Sequence, residues 1–143
     1  MTILDAFAVH AFLDDEPAAA DVEALLRTRD ARLTATGVAE VIDRLMRVKG
    51  ASATLAAGDL AQLRLLEPVP VDRSIGAAAG RLRARRYHRR TCALSLADCV
   101  GAEAARSVGE PLATADPALL RVCHDEGIGY VALAATDGSV WRS

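Results

Sequence analysis

Short apolar runs and longer amphipathic runs take turns along this chain, and the period of the pattern switches between them. "TILD" (2–5) reads as a brief strand, and the following "AFAVHAFLDDEP" is helical up to its acidic turn and Pro17. "AAADVEALLRTRD" sets Ala20, Ala24 and Leu25 with Val22 or Leu26 at helical spacing. "RLTAT" (32–36) predicts a strand. "GVAEVIDRLMRVKG" then predicts a helix with Val38, Val41, Ile42, Leu45 and Val48 on one face and Gly50 beyond its end. "SATLAAGDLAQLRLL" is a further helix with Gly58 as an interruption, and the prolines of "EPVPV" (67–71) mark an edge strand. A long helix runs from Asp72 towards Arg90, and another opens at Ser95. "PLAT" (111–114), a helix over 116–126 and "GYVAL" (129–133) complete the series. Alternating β and α units predict an α/β fold, a mainly parallel sheet covered by helices on both faces. Such sheets bind ligands beyond the carboxyl ends of their strands, at a switch point.

Composition narrows the class. A chain of 143 residues, 52% hydrophobic and 25% charged, fits one globular domain over residues 1–143 with a substantial core. The net charge of −2 makes any nucleic-acid surface a local feature. Cys92, Cys99 and Cys123 lack a CxxC spacing and leave an odd thiol, which points to a reducing, cytoplasmic setting. The amino terminus carries no basic leader and meets Asp5 early, so neither a signal peptide nor a membrane span is expected there. No GxGxxG follows a strand, no DxD follows the first strand, and Lys49, the one lysine, lies far from the last strands. Dinucleotide binding, phosphatase-type chemistry of the dehalogenase kind and receiver-domain phosphorylation are therefore disfavoured.

The acids carry the candidate chemistry. Ser95 and Asp98 have the form of a capping box, Asp116 before Pro117 has the form of an N-cap, and Asp5 can cap the helix that follows it. Each taken alone reads equally well as a helix opener. Together they say more, because parallel strands would bring Asp5 and Asp116 to the same sheet edge, where Asp98 can join them. Like charges gathered there repel, and a hard divalent cation resolves the repulsion with carboxylate oxygens. Glu40 shares its helix side with Asp43, Arg44 and Arg47, so by pattern it is an exposed i,i+4 partner of Arg44, although its first-turn position lets it reach the strand ends.

Four stretches, "ILDAFAVHAFLDDEP", "TGVAEVIDRL", "LSLADC" and "PLATADPAL", in this order and spacing, resemble the signature blocks of PIN-domain proteins, especially VapC-type toxins of bacterial toxin–antitoxin pairs. The resemblance implies a three-layer α/β/α sandwich and an acidic pocket holding Mg²⁺ or Mn²⁺. It also implies endoribonuclease activity on RNA, silenced by a cognate VapB-type antitoxin. The family's acids fall on Asp5, Glu40, Asp98 and Asp116, with Thr114 at a polar position that supports the pocket. Asp5, Asp98 and Asp116 would be ligands directly or through water, and Glu40 a ligand or a water-orienting base. Phe7 departs from the pattern, standing where the family usually has a small hydroxyl residue. That departure keeps a second reading open, a catalytically silent PIN-like module that binds RNA or a protein partner. The abundance of Ala and Leu on the helices also suits a homodimer.

"RLRARRYHRR" (81–90) has six arginines and no acid. Arg81, Arg85 and Arg89 would form one helical stripe and Arg83, Arg86 and Arg90 a neighbouring one. Arg81, Arg85, Arg86 and Arg89 are candidate RNA-phosphate contacts, with Tyr87 available for base stacking. A solvated arginine-rich helix and a surface for an acidic antitoxin segment are the other readings. His10, His88 and His124 are expected at the surface, and Cys99 is expected to pack rather than react.

Overall fold

In the computed structural model, which describes all 143 residues, β1 (Thr2–Leu4), β2 (Ala31–Arg32), β3 (Leu112–Thr114) and β4 (Tyr130–Ala132) form one sheet. Every pairing is parallel and the order is β2-β1-β3-β4. The side chains alternate cleanly between the two faces. Leu4 and Ala113 join a core with α1 (Ala6–Leu13), α2 (Ala19–Arg27), α3 (Ala35–Arg47) and α4 (Ala53–Gln62). Ile3 and Leu112 join a separate core with α5 (Arg73–Arg86), α6 (Leu96–Val108) and α7 (Pro117–Asp125). The result is the three-layer α/β/α arrangement that the alternation predicts. Because both faces are covered, β1 and β3 are apolar on both sides, as central parallel strands must be.

Several elements are shorter than their sequence patterns. The strand expected over 32–36 stops at Arg32, because the Thr34 hydroxyl accepts the Gly37 N–H at 2.9 Å and opens α3. "EPVPV" forms no strand. It contributes one parallel bridge, in which the Val69 N–H donates to Leu33 and the Ala35 N–H donates to Val69, each at 2.9 Å. Two prolines without N–H groups cannot extend that ladder. Gly58 lies inside α4 without interrupting it. The helix expected to reach Arg90 ends at Arg86, where Tyr87 turns to extended backbone and His88 and Cys92 bridge each other.

The strand order reverses direction between β1 and β3, which makes that point the switch where ligands are expected. Away from it, Arg32 on β2 grips Glu110, just before β3, through two guanidinium nitrogens. The Glu110 side chain is 8% exposed and that of Arg32 18%. Arg32→Ala therefore leaves a carboxylate buried without its counter-charge. We expect a loss of about 3 kcal/mol in urea unfolding, while the paired replacement Arg32→Met with Glu110→Leu recovers most of it. Equal losses in the single and double variants would show that the ion pair is not what Glu110 requires.

Candidate active site

Asp5, Glu40, Asp98 and Asp116 all line one cavity of about 400 Å³ at the switch point. They come from four elements. Asp5 follows β1, and its backbone N–H donates to Ala113 on β3 at 3.1 Å, which fixes it at the junction of the two strands. Asp116 follows β3 by two residues, Asp98 sits in the first turn of α6, and Glu40 in the second turn of α3. Thr34, Thr136 and the half-buried ring of Phe7 complete the polar and aromatic lining. Thr136 has no signal in the sequence, since it lies in the loop after β4, where no periodicity marks a residue's direction.

The capping roles are real as well. Asp5 Oδ1 accepts the Ala8 N–H at 2.8 Å, and Asp116 Oδ1 accepts those of Ala118 and Leu119 at 2.8 and 3.4 Å. Asp98 Oδ2 accepts the Ser95 N–H at 2.7 Å, and the Ser95 hydroxyl accepts the Asp98 N–H, which closes the capping box. One oxygen of each aspartate is thus spent on a helix start and the other is left out of the cap. Cap and cavity acid are two uses of the same carboxylate. Glu40 forms no ion pair with Arg44; the pair on that side of α3 is Arg47 with Asp43 at 2.8 Å.

Crowding of negative charge shows in the acidities. Burial pushes Asp5 up to about 7, against the Thr114 hydroxyl and the Ala8 N–H, which favour its charged form; the charges of Asp98 and Glu40 raise it further. Asp98 is raised by burial first, with Asp116 adding to it against its Ser95 hydrogen bonds. Glu40 is raised by loss of solvent in the cavity and then by the charge of Asp98. Thr114 is fully buried, and its hydroxyl accepts the Asp116 N–H at 3.1 Å, so one side chain steadies both strand-end acids.

These donors are all carboxylate oxygens, the set a hard divalent cation takes. Their mutual repulsion in a partly desolvated cavity is what such a cation relieves. The donor chemistry therefore fits. The positions are less tightly drawn than a closed site, however: no three His, Cys, Asp or Glu side chains are grouped closely enough to hold an ion. The caps hold Asp5, Asp98 and Asp116 to their separate helices.

The arginine-rich stretch lies elsewhere. Arg85 and Arg86 both bind Glu126 at the end of α7, each at 2.8 Å, and these guanidinium hydrogen bonds hold Glu126 down to about 2. Arg81 and Arg89 are exposed and have no ion pair, but α5 ends before Arg89, so the expected stripes do not run through to residues 89 and 90. One face of Tyr87 is covered by the Arg83 guanidinium, 4.2 Å from the ring centre. Cys99 packs in the core as expected, its thiol pushed up to about 11 by burial. His10 is a correction: it is buried at the α1–α3 contact, not at the surface, and neither ring nitrogen has a hydrogen-bond partner. Only its short helix, apolar almost all round, hinted at this.

The fold is an all-parallel α/β sheet, and four acids line the cavity at its switch point. The family model of the PIN domain matches residues 2–125, and the chain belongs to that family. PIN domains are generally nucleases, hydrolases that typically work with divalent metal ions. No curated protein matches the chain. No helix is long and apolar enough to cross a membrane.

Proposed function

We propose that this chain, acting as one domain over residues 1–143, is a metal-dependent endoribonuclease of the VapC type, the toxin of a toxin–antitoxin pair. The observation that carries the reading is the meeting of Asp5, Glu40, Asp98 and Asp116, from four separate parts of the chain, around one cavity. Asp5, Asp98 and Asp116 would hold a Mg²⁺ or Mn²⁺ ion, directly or through water. When bound, such an ion supplies a more acidic water and polarised phosphoryl oxygens. Glu40, its pKa raised by burial and then by the charge of Asp98, is suited to orient the attacking water and take its proton at a carboxylate oxygen. Burial and the charges of Asp98 and Glu40, set against the Thr114 hydroxyl, keep Asp5 near the balance between protonated and charged. A cation therefore binds there by displacing a proton.

RNA phosphates would lie along α5 and the loop that follows it, with Arg81 on the helix and Arg89 beyond its end as open cations and Arg85 and Arg86 shared with Glu126. The cleft between α3 and α4, about 430 Å³ and lined by Val38, Ile42, Leu60 and Leu65, suits an apolar segment of a VapB-type antitoxin. Exposed Met46, Val48 and Leu55 on the same two helices and their connection support a homodimer contact. The reading predicts that the purified chain cuts single-stranded RNA internally when Mg²⁺ or Mn²⁺ is supplied and stops when EDTA is added. RNA left intact at every metal concentration would defeat it. The separation of the carboxylates favours one other reading, a silent PIN-like module. That module would bind the same RNA in a gel shift without ever shortening it.

A further inference from the structure

Beside the acidic cavity lies a second one, of about 240 Å³, that shares Ala6, Phe7 and Glu40 with it. Its other walls are His10 of α1, Asp43, Arg44 and Arg47 of α3, and Val48 just after it, so they mix two cations with an acid and an apolar side chain. Arg47 is paired with Asp43 at 2.8 Å, and nearby Lys49 with Asp14 at 3.0 Å. Arg44, exposed on the same helix as Arg47, has no acidic partner. His10 brings no second charge to the cavity, because burial first and then the charge of Arg44 favour its neutral form. Phe7 lines both cavities, a half-buried aromatic ring that also packs against the core of α1–α4. An unpaired cation in one cavity and the proposed cation site in the other, with an aromatic ring lining both, suit one nucleotide step: a phosphate at each end and the base turned onto the ring.

We propose that this second cavity receives the nucleotide next to the scissile phosphate, its base stacked on Phe7 and its own phosphate held by Arg44. The inference rests on the nuclease reading above and deepens it, because it assigns Phe7 and Arg44 to the nucleotide beside the scissile phosphate. A base can lie on an aromatic side chain only when it is free of its partner strand. Stacking of this kind tolerates any base, since each has a π-face, so Phe7 grips the strand without selecting a sequence. Arg44 adds a charge contact that salt weakens.

The test uses the full chain and short single-stranded RNA oligonucleotides carrying 2-aminopurine at successive positions, with steady-state cleavage and fluorescence read together. Phe7→Leu keeps apolar volume and removes the ring, so it separates stacking from packing. It is expected to raise KM about tenfold with kcat within about twofold, and to restore the fluorescence of the one 2-aminopurine that the parent protein quenches. Arg44→Ala is expected to raise KM about tenfold as well and to reduce the salt slope of RNA binding by about one. Substrates ending before the stacked nucleotide should be insensitive to both changes. If the parent cleaves but both variants match it in KM, quenching and salt slope, the subsite is wrong and the nuclease reading stands. If the parent neither cleaves nor binds RNA, both fall together.

Discussion

Asp98→Asn is expected to lower metal-dependent RNA cleavage by at least about 100-fold, beyond the 10–100-fold that loss of a metal site's outer hydrogen-bond partner typically costs. The fold should survive. An asparagine oxygen can still accept the Ser95 N–H now bonded at 2.7 Å, so the start of α6 keeps its closure. What disappears is one negative charge from a cavity whose proposed work is to hold a cation. Circular dichroism and urea unfolding would report an intact protein, calorimetry would report weakened Mn²⁺ binding, and a gel would show uncut RNA. Cleavage at the parent rate by the folded Asp98→Asn variant would remove Asp98 from the site.

The second large effect is on stability, and it reverses the usual sense of acid denaturation. Asp5 titrates near 7 in the folded chain, against an ordinary 3.8. Between those values the folded state keeps a proton that the unfolded state has released. The contribution of Asp5 to stability therefore falls as pH rises from about 4 to about 7 and levels off above that, opposed in part by buried His10, whose lowered pKa acts in the other sense. The shift corresponds to a loss on the order of 2–4 kcal/mol, allowing for water in the cavity. Asp98 and Glu40, raised in the same direction, add a shallower slope of the same sign. Asp5→Asn should flatten most of this dependence and be the more stable protein at pH 8 in EDTA, since asparagine caps a helix as well as aspartate does. Urea midpoints at pH 5 and pH 8 decide the matter, and parallel profiles for the two proteins would contradict the crowding of charge around Asp5. Adding Mn²⁺ at pH 8 should stabilise the parent more than the variant.

Much of this architecture is legible in the sequence. The switch between short apolar runs and amphipathic runs marks β1, β3, β4 and all seven helices, because each element follows its own local period. The acids are legible as well, but ambiguous. Asp5, Asp98 and Asp116 look like helix caps because they are helix caps, and only the parallel pairing of β1 with β3 reveals that the caps share a cavity. What stays hidden is set by partners distant in the chain. Arg85 and Arg86 meet Glu126 from 41 and 40 residues away, and no local pattern announces that neutralisation. The burial of His10 depends on how α1 lies against α3. The shortened β2 is decided by one hydroxyl, that of Thr34, which ends a strand by starting a helix.

The double duty of the strand-end aspartates has a practical consequence for mutational scanning. A library screened only for soluble expression should accept asparagine or serine at positions 5 and 116, because either opens a helix adequately. If the proposed toxin role holds, the same library screened for growth arrest of its host should accept neither. Positions where the two tolerances diverge would outline the working face of the molecule without any knowledge of its target, and Asp5 and Asp116 should lead that list.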